Sequence, residues 1–241
     1  MRIAEDLTGH LKKALGDDLI SVVLYGSAAA GDQSKNYSDV NILVVVTAMG
    51  LPVLKKTMPI VKKWTRLGNH PPLFFTKDRI QQAEDVFPME FLDIKANHKI
   101  LWGDDPFCDL KVHTDHLRHQ LEYELRGKLI QLRERYLETN GIPRRIQEML
   151  AKSISTFVVL FKGVLRLLGE EPPAHKQDVI STLSHRVPLE KDILHDILRL
   201  RENDKNAFKR DPEALLEGLL KSVEAVVDFV DQYKGISESQ H

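Results

Sequence analysis

Two short clusters in this 241-residue sequence could do chemistry together. The first is Gly26-Ser27, directly after the apolar run LISVVLY. The second is Asp39-Val40-Asn41, at the start of the apolar run VNILVVV. A glycine at the end of a strand lets the backbone leave it sharply, and the serine after it offers a hydroxyl and an N–H. Both can hold phosphate oxygens. Side chains two apart on a strand share a face, so Asp39 and Asn41 point the same way. Two carboxylates there would hold magnesium ions that bridge a triphosphate to an attacking hydroxyl. Here the second is an amide, which gives a hard dication one carbonyl oxygen and no charge.

The elements that must position these residues follow from apolar spacing. Glu5 to Leu15 has helical periodicity and ends at Gly16. LISVVLY and VNILVVV are β-branched runs of strand length, bounded by turn residues. Val53, Leu54, Met58, Val61 and Trp64 recur at helical spacing over residues 51–67, with Pro59 where it can kink the helix. PLFFT predicts a strand, Lys77 to Asp85 a short helix, and EFLDI and HKILW further strands before the turn Gly103-Asp104-Asp105-Pro106. Beyond that turn the period becomes helical. One stripe runs from Leu117 to Leu137, and a second starts at Pro143 and stops at Gly169. A third covers about Leu189 to Arg201, and a fourth begins at Asp211-Pro212-Glu213, an N-cap followed by a first-turn proline and acid. The expected architecture is α+β, with an α/β domain over residues 1–110 and an all-helical bundle over 111–241. A cleft between them would hold any substrate.

The string LYGSAAAGDQSKNYSDVNILVVV resembles the signature of the DNA polymerase beta-type nucleotidyltransferase superfamily, in which an apolar strand ends in Gly-Ser and a loop leads to Asp-apolar-acid-apolar. Its flavour is closest to the bacterial aminoglycoside nucleotidyltransferases and the stand-alone nucleotidyltransferase-domain proteins. The resemblance implies a mixed sheet with flanking helices, and magnesium-dependent transfer of a nucleoside monophosphate from a nucleoside triphosphate to a hydroxyl. The acceptor would be a small hydroxylated molecule or a protein. By position, Gly26 and Ser27 match the nucleotide-holding turn, Asp39 matches the first metal carboxylate, and Asn41 stands where the second would be. The family's third acid lies on a later strand. If PLFFT is that strand, Phe74 or Phe75 occupies the place; if MEFLDIK is, Glu90 or Asp93 could serve. The spacing to the strand ILWG favours the phenylalanines. The chain is therefore expected either to transfer nucleotides with a partly degenerate metal site or to be an inactive nucleotide-binding or partner-binding relic.

Bulk properties narrow the alternatives. A formal net charge of −1 gives no general attraction to nucleic acid or anionic membrane. The one cysteine, Cys108, excludes an internal disulfide framework and suits a reducing cytoplasm. The N-terminal residues lack a signal-peptide core, and no apolar run nears the roughly 20 residues that span a bilayer. Lys55, Lys56, Lys62, Lys63 and Arg66 share one side of a helix and read better as a solvated face than as a polyanion site, since no aromatic residues interleave them. His113, His116 and His119 lack the spacing and partners of a metal site. Glu122, Glu124 and Glu134 on the first bundle helix are candidate bases for an acceptor hydroxyl.

Overall fold

The computed structural model describes residues 2–26, 28–29, 40–82, 87–110, 113–202, 204 and 209–234, in two units, 1–113 and 114–241. The first unit is built on a four-stranded mixed sheet in the order β3-β2-β1-β4, from β1 (Leu19–Tyr25), β2 (Asn41–Val46), β3 (Leu73–Thr76) and β4 (His98–Gly103). β1 runs antiparallel to both β2 and β4, whereas β3 is parallel to β2. The two β-branched runs fill the centre because a strand covered on both faces must be apolar at every position. Val22, Leu24, Ile42, Val44 and Val46 face one way, under α1 (Arg2–Leu15) and α2 (Leu51–Arg66). Val23, Leu43 and Val45 face the other way, against Ile80 of α3 (Lys77–Gln82), Phe91 and Ile94 of α4 (Pro88–Ala96), and Phe107 and Leu110.

Pro59 is accommodated inside α2, and Lys55, Lys56, Lys62, Lys63 and Arg66 are all exposed on it, with Lys56 paired to Asp18 at 3.1 Å. One expected element is corrected: EFLDI is helix, not strand. Pro88 occupies the first turn, Glu90 adds a first-turn acid, and Phe91 and Ile94 are buried together at helical spacing. Those local signals outweigh the strand-length apolar character of EFLDI.

The second unit is helical: α5 (Thr114–Glu138), α6 (Pro143–Leu167), α7 (Lys176–Leu183), α8 (Lys191–Arg201) and α9 (Pro212–Gln232). α7 was not anticipated. Leu125, Leu132, Phe157, Phe161, Leu219 and Val226 are at most 2% exposed, as the stripes require, and the described residues of this unit hold no strand. Asp211 caps α9, its carboxylate accepting from the Glu213 N–H at 3.2 Å. No helix among the described residues is long and apolar enough to cross a membrane.

An ion-pair chain ties α5 to α9. The Glu122 carboxylate accepts from Arg118 at 3.1 Å and Arg126 at 3.0 Å, and Arg126 reaches Asp231 at 3.5 Å. Partial burial alone would push the Glu122 carboxyl up; the hydrogen bond from Arg126 and the charges of Arg126 and Arg118 outweigh it and hold the group below its ordinary 4.5. A depressed carboxylate contributes stability above its unfolded-state value, and that contribution is lost as pH falls through the folded-state value. The urea midpoint of the wild type should therefore drop below pH 4.5 more steeply than that of Glu122→Gln. Parallel acid profiles for the two proteins would exclude this role.

Candidate functional site

Gly26 ends β1 with φ +77°, a left-handed conformation that glycine adopts without penalty. Its N–H donates to the Asn97 carbonyl at the end of α4 (3.1 Å), and its own carbonyl accepts from the Ala29 N–H (2.9 Å). The turn is thus fixed from both sides. Because the Gly26 N–H is already engaged, the glycine's part is conformational, and any phosphate contact falls to the groups after it. A Cβ at Gly26 would lie 3.2 Å from the Asn41 Nδ2, so the turn and the Asn41 amide are immediate neighbours.

Strand register explains this. Tyr25 pairs with Asn41 on β2 and with His98 on β4, placing the three in one row across the sheet end. They lie on the face that carries Val23, Leu43 and Phe107. His98 is fixed: its Nδ1 is 3.0 Å from the Lys95 carbonyl and its Nε2 is 3.3 Å from the Asp105 carboxylate, which also accepts from the Phe107 N–H at 2.8 Å. Burial pushes the Tyr25 phenol above its ordinary value, so the hydroxyl stays a neutral donor at physiological pH. Tyr25, His98 and Asp105 were not singled out from the sequence. Their convergence depends on β1–β4 register, and the only local hint is that Tyr25 immediately precedes Gly26.

Gly26 and Asn41 are brought together, but Ser27 and Asp39 lie outside the described residues. The strand beside β2 is β3, and it carries no acid. Leu73 is opposite Leu43 and Phe75 opposite Val45, so these two share Asn41's face, while Phe74 joins the opposite core. Leu73 is 44% exposed, an apolar group on the strand where a carboxylate was sought. Glu90 and Asp93 sit on α4, exposed and half-buried respectively. In the helical unit Glu122 is engaged by two arginines, Glu124 faces Lys128 at 3.9 Å, and Glu134 is exposed.

No group of three or more His, Cys, Asp or Glu that could hold a metal exists among the described residues, His113, His116 and His119 included. At the sheet end Asn41 contributes a neutral amide oxygen, with the Tyr25 hydroxyl in the same row and the Asp105 carboxylate on His98. A neutral amide there gives a dication a weaker ligand than the charged oxygens a two-ion centre takes.

A family model described as a nucleotidyltransferase domain matches residues 9–97, a span that runs from α1 through the Gly26 turn and Asn41 to the end of α4. This span is a nucleotidyltransferase domain. The fold likeness reaches beyond this domain. The crystal structure of spectinomycin adenyltransferase AAD(9) from Enterococcus faecialis with ATP and spectinomycin superposes with a TM-score of 0.54 at 15% identity, covering 92% of this chain and 98% of that one. At that identity the likeness is one of fold: a mixed sheet with flanking helices followed by a helical region. A toxin–antitoxin structure with AMP-PNP gives a TM-score of 0.29 at 20% identity, over 42% of this chain and 74% of that chain, too low to carry an argument. No curated protein matches the chain.

Proposed function

We propose that the nucleotidyltransferase domain binds a nucleoside triphosphate at the Gly26-Ser27 turn and transfers its nucleoside monophosphate slowly to a hydroxyl. In that reaction the acceptor oxygen bonds to the α-phosphorus, the bond to the bridging oxygen breaks, pyrophosphate leaves, and the acceptor proton passes to water. The observation that supports the reading is the closeness of a left-handed glycine turn to the residue-41 side chain, the two positions to which the reading gives phosphate and metal. Magnesium, when bound with the triphosphate, neutralises phosphate charge and polarises the phosphoryl oxygens. Asp39 and the Asn41 carbonyl oxygen would hold it, and the triphosphate would supply most of its other ligands. Tyr25, a neutral donor in the same row, is placed to hydrogen-bond an anionic oxygen. The acceptor is a small hydroxylated molecule or a protein.

A second reading, nucleotide binding without transfer, is favoured by one observation: β3 offers Leu73 and Phe75 on the site face and no acid. Calorimetric titration with ATP, GTP, CTP and UTP, with and without magnesium, tests both. The expected result is weak, magnesium-dependent binding of a nucleoside triphosphate that Asp39→Ala abolishes, with slow pyrophosphate release across a panel of hydroxylated acceptors. Binding with no release would leave the second reading. Indifference of the wild type to all four nucleotides would remove both.

A further inference from the structure

The α5–α6 seam of the helical unit holds a basic groove unrelated to the Gly26 turn. Its wide end encloses about 470 Å³ between Arg135, Glu138 and Thr139 of α5 and its following turn and Arg145, Glu148 and Lys152 of α6. It continues past Arg135 into a narrower recess of about 70 Å³ that includes Lys128, Gln131, Ser153 and Thr156. Arg135, Arg145 and Lys152 are exposed and make no hydrogen bond or ion pair among the described residues. Of the two acids on the groove, Glu148 is already engaged by Arg144 at 3.1 Å, so the groove keeps a surplus of positive charge.

The second observation lies at its base. Ser153 is 6% exposed, and its Oγ has no hydrogen-bond partner among the described residues. A buried hydroxyl costs free energy unless it is paired, and a serine in a helix can ordinarily satisfy itself on the preceding turn's carbonyl. Ser153 instead lines the recess among Lys128, Gln131 and Arg135. A hydroxyl donor at the base with cations above it matches an anion that has several acceptor oxygens. Phe157 is buried and the rest of the lining is polar apart from Leu132 and Met149, so no exposed ring is available to stack a base.

We propose that this groove is a binding site for a small, multiply charged phosphate anion, either an inorganic polyphosphate or the phosphate group of a phosphate ester. Arg135, Arg145 and Lys152 supply the charge, and Ser153 donates to an oxygen that reaches the recess. The site is independent of magnesium and of Asp39.

The test uses the full chain in EDTA, with inorganic triphosphate and glucose 6-phosphate as separate probes. Binding is followed by calorimetry and by amide chemical shifts. Triphosphate should perturb residues 128–156, and its affinity should weaken as salt rises. Arg135→Gln with Lys152→Gln should weaken it at least tenfold, and Asp39→Ala should leave it unchanged. Ser153→Ala should weaken binding about fivefold while raising the melting temperature of the anion-free protein, because it removes an unpaired buried hydroxyl. That opposite movement separates a ligand role from a packing role. Tighter binding of glucose 6-phosphate would assign the site to esters, and tighter binding of triphosphate would assign it to polyphosphates. No shift in residues 128–156 with either probe, an unaltered affinity in the double variant, or stronger binding there by an oligonucleotide would overturn the proposal.

Discussion

Asn41→Asp is expected to tighten magnesium–triphosphate binding about tenfold, equivalent to roughly 1.4 kcal/mol, and to raise pyrophosphate release by more than that. The substitution exchanges an amide nitrogen for an oxygen with almost no change in shape, so the side chain keeps its place beside the Gly26 turn. The electrostatics do change. The added carboxylate lies two residues from Asp39 in the sequence, and a dication gains a charged ligand in place of a dipole. Loss of one such preorganised group typically costs about a hundredfold in rate, so restoring it can regain up to that factor. Two limits keep the gain below a full two-ion site. β3 still presents Leu73 and Phe75 on this face, and the two carboxylates repel each other when no metal is bound. The gain should therefore vanish in EDTA, and it should shrink in acid as the carboxylates protonate. Calorimetry of wild type and Asn41→Asp over a magnesium series decides it. Identical affinities and rates in both proteins would mean that residue 41 does not face the metal.

The parts of this site that the sequence reveals are those encoded by neighbouring residues. The runs LISVVLY and NILVVV became β1 and β2 because β-branched residues bounded by turn formers have few alternatives. Gly26 adopts the positive φ that its place between a strand and a polar loop called for. Where two local signals compete, the reading fails. MEFLDIK holds both an apolar-rich run of strand length and a helix start, and the proline and acid at Pro88 and Glu90 prevailed. α7 was missed because its eight residues complete barely two turns of a stripe, while Val179, Ile180 and Leu183 are buried only through their neighbours in the helical unit. The row Asn41–Tyr25–His98 lies further still from local information, since it exists only once β1 has paired on both edges. The same holds for Leu73. Its presence on Asn41's face follows from the parallel register of β3, which no local pattern specifies.

That dependence on β1–β4 register makes Gly103→Ala a damaging substitution in the first unit. Gly103 ends β4 opposite Ser21 with φ +74°, and a Cβ there would lie 1.9 Å from the Ile20 carbonyl oxygen. A left-handed alanine costs about 1–2 kcal/mol, and forcing atoms into a filled space typically adds about 1–3 kcal/mol. The obstructing atom is backbone, so relief requires the strands to part, and that disturbs the pairing that holds Tyr25 to His98 and Asn97 to Gly26. Gly16→Ala is the control. Gly16 has a similarly positive φ of +53° but nothing within 4 Å of its Cβ position, so it carries only the conformational cost. With each kcal/mol worth roughly 4–8 °C in a domain of about 100 residues, the added steric cost should make Gly103→Ala melt at least about 4 °C, and up to about 20 °C, below Gly16→Ala. It should also lose triphosphate binding at temperatures where Gly16→Ala retains it. Equal melting of the two variants would show that the strand ends have room to separate, and that β4 does not hold the Gly26 turn in place.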